Sequence, residues 1–170
     1  MTFVIRAASQ ADVPGILAAE LEAGRTSIAH ADRFAASISA AVEDQARVVV
    51  VAEVQDDANA GGGADVVGWA KTHCWDYADG PALSGHYWGG VTVRPNFRRL
   101  GVASELTGAR MAWIWERADH AWYVVNALNE ASLALHRRWG FREVARGAGF
   151  HTVTFDGGEG VLLQAARPLS

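Results

Sequence analysis

Cysteine, lysine and long apolar runs are nearly absent from this sequence of 170 residues. Its one cysteine, Cys74, excludes an internal disulfide and a cysteine-rich zinc site. The longest strongly apolar stretch, residues 48–52, is far too short to cross a bilayer, so no membrane partner is expected. The first residues lack a basic segment followed by a long apolar run, and no signal peptide is predicted.

Charge is sparse and unevenly distributed. The net charge of −4 argues against a general nucleic-acid binder, which would need a basic surface. One lysine, Lys71, stands beside fourteen arginines. Eight arginines and four acidic residues lie between Arg94 and Arg142, so this segment carries +4 and the rest of the chain −8. The sequence therefore predicts a local basic surface on an acidic protein.

Apolar residues are plentiful enough for one folded core. Half of the chain is hydrophobic, with seven Trp and six Phe, which excludes extensive disorder. The length fits a single domain over residues 1–170. Apolar spacing predicts helices after residue 12, at 32–44, from 102 to about 118 and from 129 to 140. It predicts strands at 3–7, 47–54, 66–75, 85–93, 121–127, 141–146 and 161–167.

The predicted order β-α-α-β-β-β-α-β-α-β-β combines a hairpin meander with βαβ crossovers. It indicates an α/β (α+β) domain, in which about four helices flank a mixed, largely antiparallel sheet of six to seven strands. The paired glycines Gly89 and Gly90 inside one strand indicate a bulge or a close approach to the backbone. Residues 56–65 are predicted to form a flexible loop.

The most informative segment is residues 91–103, where a Val-x-Val strand leads into a basic loop and then a helix. A helix N-terminus offers free N–H groups and a positive dipole end, which suit a phosphate. Gly101 lets the backbone come close, and Ala103 keeps the next contact small. Arg98 and Arg99 add positive charge. Because the pattern is neither a Walker loop nor Gly-x-Gly-x-x-Gly, it predicts a pyrophosphate site of another kind.

Two blocks of the sequence resemble the GNAT superfamily of acyl-CoA N-acyltransferases. The spacing Arg98-x-x-Gly101-x-Ala103 is similar to the family's Gln/Arg-x-x-Gly-x-Gly/Ala signature. Residues 129–141 resemble its Asn-x-x-Ala-x-x-Leu-Tyr-x-x-x-Gly-Phe block. The two blocks stand in the family's order, and the clear resemblance covers residues 90–141.

This resemblance implies an N-acetyltransferase that uses acetyl-CoA as co-substrate and needs no metal. It also implies that strand 85–93 splays away from strand 121–127 and that the gap receives the pantetheine arm. A cytoplasmic location is expected because acetyl-CoA is intracellular, and the resemblance allows a homodimer. The cofactor-binding residues that it implies are Val91, Thr92, Val93, Arg98, Arg99, Leu100, Gly101, Val102, Ala103, Ser104, Asn129, Ser132 and Leu135.

The sequence departs from the family pattern at His136. The family usually has a tyrosine there, whose hydroxyl protonates the departing CoA thiolate. Ser132 and His136 are four residues apart and share a helix face. An imidazolium could donate that proton in the tyrosine's place. Alternatively, His136 fills the space of the tyrosine while water protonates the thiolate.

The general base, which must take a proton from the acceptor amine, is less defined. The candidates are two residues of the splayed strand, His86 and Tyr87, and four others: Glu20, Glu22, His73 and Asp76. Each of them also has a structural interpretation. A mixed aromatic and acidic pocket would suit a cationic amine. The predicted substrate-binding residues are therefore Glu20, Trp75, Asp76 and Trp88.

The sequence thus predicts direct attack of a primary amine on acetyl-CoA in a ternary complex. A small cationic amine is the favoured acceptor, and a protein N-terminus or lysine is the alternative. Two rival classes stay open. One is a CoA-binding sensor or structural module with little catalysis. The other is a phosphate or nucleotide binder that shares only the loop-to-helix geometry.

Overall fold

β-Branched runs bounded by glycine and turn residues form the strands, and apolar residues four apart form the helices. The computed structural model describes residues 1–55 and 65–169. Its strands are β1 (Thr2–Ala7), β2 (Val49–Gln55), β3 (Val66–Trp75), β4 (Gly85–Val93), β5 (His120–Asn126), β6 (Arg142–Gly147), β7 (Gly149–Phe150), β8 (Val153–Thr154) and β9 (Gly160–Ala166). Its α-helices are α1 (Val13–Glu22), α2 (Ala31–Glu43), α3 (Val102–Trp115) and α4 (Glu130–Arg137).

Seven strands form one sheet in the order β1-β2-β3-β4-β5-β9-β6, and β7 pairs with β8 in a separate hairpin. The β1–β2, β2–β3, β5–β9 and β6–β9 pairs are antiparallel, whereas β4 and β5 are parallel. The predicted fold class is therefore confirmed, with four α-helices and a mixed, largely antiparallel sheet in the residues that the structure describes. The organisation as one domain over residues 1–170 stays a prediction.

The described residues group into two compact units, and the first holds residues 1–55, 65–72 and 90–112. Phe34 and Ile38, spaced by four on α2, turn the apolar face of that helix toward the core. The Phe34 ring meets Trp69 edge-on, with 5.7 Å between the ring centroids. The buried residues of this core are Ile16, Ala19, Ile38, Ala41, Val49, Val51, Val66 and Trp69.

The second unit holds residues 73–89 and 113–169. Tyr87 and Trp122 stack in its centre with 5.9 Å between their centroids. Aromatic rings bury large apolar areas, so a few of them can supply a core of this size. The buried cluster consists of Ala82, Tyr87, Trp122, Phe150 and Leu162.

Three helices end earlier than predicted, α2 by one residue at Glu43, and one hairpin was not predicted. Helix α3 ends at Trp115 instead of about residue 118, and α4 ends at Arg137 instead of residue 140. After α4, Gly140 has a left-handed φ of 83°, and the N–H of Phe141 donates to the carbonyl of His136, which ends the helix. Strands β7 and β8 have two residues each, too few for a periodicity.

The predicted flexible loop at 56–65 lies, apart from residue 65, outside the described residues. In the remainder of the chain, no helix is both long enough and apolar enough to cross a membrane.

An ion pair joins β1 to the start of α1. The Arg6 guanidinium donates to both carboxylate oxygens of Asp12, at 2.8 and 2.7 Å. The Ser9 N–H donates to Asp12 Oδ2 at 2.7 Å, as in a capping box. Chiefly because of the hydrogen bonds from Arg6, the pKa of Asp12 falls from 3.8 to about 2. The ionised carboxylate therefore stabilises the fold above pH 3.8, and this contribution is lost as the pH falls toward 2.

We expect Asp12→Asn to lower the free energy of unfolding at pH 7 by about 1–2 kcal/mol, since one of the two carboxylates paired with Arg6 is lost while Glu53 remains. The difference from the unchanged protein should shrink as the pH falls from 4 to 2. Urea unfolding of both proteins across this pH range measures the difference. Asp44→Asn is the matched control, because its pair with Arg47 (2.8 Å) is more exposed and should contribute under about 1 kcal/mol. Equal losses in the two variants would contradict the prediction.

Candidate active site

The loop between β4 and α3 has an unusual backbone. A short 3-10 turn at Pro95–Phe97 follows β4, and the chain then passes through two left-handed residues before α3 begins. These are Arg99, with φ of 63°, and Gly101, with φ of 87°. Non-glycine residues seldom adopt this conformation, and it often marks functional loops. A methyl group added at Gly101 would meet no atom within 4 Å, so the backbone there borders open space.

The start of α3 presents N–H groups beside this loop. The N–H groups of Ser104 and Glu105 donate back to the carbonyl of Gly101, at 2.9 and 3.1 Å. The N–H groups that precede them, on Val102 and Ala103, come before the helical ladder and have no partner within it. Ala103 and Ser104 are both exposed residues. This donor set, at the positive end of a helix dipole, fits a polyphosphate.

The arginines of the loop fall into two kinds. Arg94 is largely buried and pairs with Asp65 at 3.1 Å and Glu22 at 3.6 Å, so it is a structural residue. Arg98 and Arg99 are exposed, and no carboxylate in the described residues lies within ion-pair distance of either. Arg98 donates through Nε to the carbonyl of Val93 at 3.3 Å, which fixes its stem. Two positive charges are thus available at the loop.

The other predicted cofactor residues of the first unit line the end of β4 and the loop. Thr92 is buried, whereas Val91 and Val93 are half-buried. Val102 packs into the core, and the Leu100 side chain is 51% exposed. The first unit therefore brings together the strand end, both free arginines and the helix N-terminus.

The second unit holds the predicted residues of α4. Asn129 caps this helix, since its side-chain oxygen accepts the N–H of Ser132 at 3.1 Å. Asparagine is a usual residue at this position of a helix, and the cofactor contact of Asn129 stays a prediction. Leu135 is 46% exposed on the same helix. Ser132 and His136 share a face as predicted, with Ser132 Oγ 3.2 Å from His136 Nδ1.

His136 is buried in an aromatic cluster. Its ring stacks on Tyr123, with 3.9 Å between centroids and an angle of 7°, and lies 4.9 Å from Trp88. His136 Nδ1 also lies in close contact with the carbonyl oxygen of Ser132. Because a carbonyl only accepts, the hydrogen is on Nδ1, and the Nε2 of a neutral ring carries a lone pair. A neutral His136 therefore has no second proton to give.

Tyr123 contacts two of the predicted site residues, Ser132 and His136, and sequence reasoning did not single it out. Its hydroxyl lies 3.5 Å from Ser132 Oγ, and its ring is half-buried. On β5 it directly follows Trp122, which pairs with Tyr87 in the short parallel register of β4 and β5. The available signal was a tyrosine on the strand before a block that lacks its usual tyrosine. The stacking on His136 depends on folded contacts that no spacing encodes.

The predicted bases on β4 have different environments. Burial, together with the charge of Arg117, lowers the pKa of His86, whose ring lies edge-on to Trp113 at 5.2 Å. Tyr87 is almost fully buried, and its hydroxyl donates to the carbonyl of Leu83 at 2.6 Å. Burial and the negative charge of Asp79 raise the pKa of Tyr87. Tyr87 thus keeps its proton near neutrality, whereas His86 is neutral there.

The predicted substrate-binding residues fall in both units. Glu20 lies in the first unit, where its buried carboxylate accepts the indole N–H of Trp69 at 3.0 Å. In the second unit, Trp88 is buried against Phe141, with 4.6 Å between the ring centroids. Trp75 stacks on His151, and Asp76 is exposed. His151 was not singled out from the sequence. The substrate-binding assignments stay predictions.

Comparison with known families identifies the family of the chain. Residues 17–141 match the model of the acetyltransferase (GNAT) family. The chain belongs to the GNAT acetyltransferase family. The match covers both sequence blocks, so the predicted resemblance is confirmed, and it also takes in α2 and β2–β5.

Solved structures share the fold of this acetyltransferase. The ribosomal-protein-S18-alanine N-acetyltransferase from Escherichia coli superposes with a TM-score of 0.69 and 16% identity, over 99% of this chain and 96% of that one. The ribosomal-protein-alanine N-acetyltransferase from Brucella melitensis gives 0.69 and 23%, over 96% and 99%. A chain of the NatC complex, solved with a Gag peptide and CoA, gives 0.63 and 16%, over 99% and 100%. Among curated proteins, no sequence matches significantly.

Proposed function

We propose that this acetyltransferase moves an acetyl group from acetyl-CoA to a primary amine, with a small cationic amine as the favoured acceptor. The observation that carries this proposal is the loop before α3, where Arg99 and Gly101 are left-handed, Gly101 borders open space, and the first N–H groups of α3 have no partner in the helix. A family of acetyl-CoA users and a polyphosphate-shaped donor set point to the same co-substrate. A cytoplasmic location follows from this proposal, because acetyl-CoA is intracellular.

The residues that would hold the co-substrate are those of the loop and of α4. Arg98, Arg99 and the first N–H groups of α3 would bind the pyrophosphate by charge and hydrogen bonds. Val91 and Val93 would offer main-chain groups to the pantetheine arm. Acetyl-CoA supplies the acetyl group on an activated thioester. Donors fixed on a strand or a helix need no reorganisation during the reaction, which favours stabilisation of negative charge on oxygen.

We assign the proton for the leaving thiolate to Tyr123. A tyrosine hydroxyl is a hydrogen-bond donor, and this one is partly exposed. His136 holds the Tyr123 ring by stacking, and its own N–H is directed to the Ser132 carbonyl. His136 would need a second proton, on Nε2, to act as the acid itself. Ser132 Oγ lies between the two groups and would orient the phenol.

The test is release of free thiol from acetyl-CoA in the presence of a panel of amines. The panel contains small cationic amines, matched neutral amides, and peptides with a free N-terminus or a lysine. We expect thiol release with cationic amines and stabilisation by CoA but not by ATP in thermal unfolding. CoA binding without turnover would favour a sensor module. Turnover of peptides alone would favour a protein acetyltransferase, and equal stabilisation by ATP would favour a general phosphate binder.

A further inference from the structure

His151 is held in a strained position at the tip of the β7–β8 hairpin. Its φ of 53° is left-handed, which costs free energy in a residue other than glycine. The backbone N–H of His151 donates to Asp79 Oδ2 at 2.6 Å, a contact between residues 72 positions apart. A conformation of this kind persists only where the surroundings impose it. The Asp79 carboxylate supplies that constraint and fixes the turn.

Three aromatic rings surround the His151 imidazole. Trp75 stacks on it, with 4.7 Å between centroids and an angle of 5°. Tyr77 and Tyr87 approach it edge-on, at 5.0 and 5.2 Å. Tyr77 is 46% exposed, whereas Tyr87 is buried, so the cluster has one side toward solvent and one side toward the core. The face of an aromatic ring attracts a cation, so Trp75 or Tyr77 would bind an ammonium wherever one of them turns a free ring face toward the acceptor.

A chain of hydrogen bonds fixes the tautomer of His151. The Tyr87 hydroxyl has two neighbours, the Leu83 carbonyl at 2.6 Å and His151 Nε2 at 3.2 Å. The carbonyl can only accept, and it is the nearer neighbour, so the phenol gives its one hydrogen to Leu83. The phenol oxygen then accepts a hydrogen from His151 Nε2. In the neutral ring, His151 Nδ1 must therefore carry the lone pair.

That lone pair has no protein donor. In the described residues, His151 Nδ1 is buried and makes no hydrogen bond. Buried polar atoms are nearly always paired, so an unpaired one needs a reason, and a catalytic role is a common one. If His151 Nδ1 acts as a base, the group that gives it a proton is the hydrogen-bond donor that the protein does not provide. The nearby carboxylates of Asp76 and Asp79 are exposed and make the surroundings negative.

We propose that His151 is the general base of the acceptor site and that Trp75 and Tyr77 bind the acceptor as a cationic primary amine. The inference rests on the proposed acetyl transfer. The ammonium gives one proton to His151 Nδ1, and the free amine then attacks the thioester carbonyl. The C–N bond forms and the C–S bond breaks, and the departing thiolate takes its proton from Tyr123. The second proton of the nitrogen passes through solvent to the Tyr123 phenolate, and His151 releases the first proton to water after the products leave. The Nε2–H of the resulting imidazolium stays on the Tyr87 oxygen.

Access to the base requires one ring to move. Because Nδ1 is covered by its neighbours, an amine must displace one of them, and Tyr77 has the most exposed ring. Trp75 and Tyr87 are held by stacking on His151 and Trp122. The Tyr77 ring would thus open toward solvent and return over the bound ammonium.

The test uses His151→Asn, because asparagine tolerates a left-handed φ and cannot act as a base at neutral pH. The probes are ethylamine, a cation at pH 7.5, and 2,2,2-trifluoroethylamine, which is uncharged there. We expect the variant to lose at least about 100-fold in kcat with ethylamine and less than about 10-fold with the fluorinated amine. The matched control is His120→Asn on β5, which should change neither rate. Equal losses with the two amines would overturn the inference.

A second readout does not depend on turnover. In the 15N spectrum of the imidazoles, we expect His151 to be protonated on Nε2 and not on Nδ1. Addition of ethylamine should shift the His151 Nδ1 signal and leave His120 unchanged. A proton on Nδ1, or no shift at saturating ethylamine, would overturn the inference. Failure of the proposed function is recognised separately, as absence of thiol release from acetyl-CoA with every amine.

Discussion

Tyr123→Phe should lower kcat for acetyl transfer by at least about 100-fold, the scale of a lost general acid. The affinity for acetyl-CoA should stay within about threefold, because only one hydroxyl is removed and it carries no charge. The fold should also tolerate the change. Ser132 Oγ keeps its contact with His136 Nδ1 at 3.2 Å, and the phenyl ring keeps the stacking surface. Steady-state thiol release and calorimetric titration with acetyl-CoA measure the two quantities.

His136→Phe is the variant that decides whether Tyr123 or His136 gives the proton to the leaving thiolate. It keeps a flat ring against Tyr123 and removes both ring nitrogens. If Tyr123 gives the proton, His136→Phe should reduce kcat less than about tenfold, because only the positioning of the phenol is weakened. If the His136 imidazolium gives the proton, the kcat of His136→Phe should fall by as much as we expect for Tyr123→Phe. Unchanged turnover in Tyr123→Phe would leave water or His136 as the proton source.

The sequence predicted the elements whose signals are local. Strands β3 and β4 have the predicted bounds, because each is a β-branched or aromatic run that begins or ends at glycine or a turn. The stop near Gly140 also has a local cause, since glycine supplies the left-handed residue after the helix, although α4 itself ends at Arg137 and not at the predicted residue 140. The loop between β4 and α3 could be singled out for the same reason, because its signature residues follow one another along the chain, and its binding of a pyrophosphate stays a prediction.

The acceptor side of the candidate site was only partly predictable, because its contacts are distant in sequence. Asp79 and His151 meet across 72 positions, and β7 and β8 are too short to leave a periodic pattern. Trp75 was expected to bind substrate, but its stacking partner His151 had no signal of its own. The left-handed conformation of Arg99 was not predictable either, although the loop around it was predicted. Arginine has no preference for a left-handed φ, so its 63° is imposed by the fold.

Ala103→Glu should separate stability from co-substrate binding, since the two should change in opposite directions. Residue 103 is exposed in the first turn of α3, where a carboxylate meets the positive end of the helix dipole. This contact should raise the free energy of unfolding by about 0.3–1 kcal/mol. The same carboxylate would take the place of a phosphate. At about 4 Å and an effective dielectric constant of about 20, the repulsion is about 4 kcal/mol, enough to weaken acetyl-CoA binding at least about 100-fold.

Ala112→Glu is the matched control, because residue 112 is exposed on the same helix but far from its N-terminus. A carboxylate there lies in the last turn, at the negative end of the dipole, so it should slightly lower the free energy of unfolding and leave the affinity for acetyl-CoA unchanged. Urea unfolding measures the free energy of unfolding of both variants, and calorimetric titration measures their affinity for acetyl-CoA. Undiminished acetyl-CoA binding by Ala103→Glu would remove the α3 N-terminus from the co-substrate site. Equal weakening in both variants would mean that net charge, and not the position of the carboxylate, controls binding.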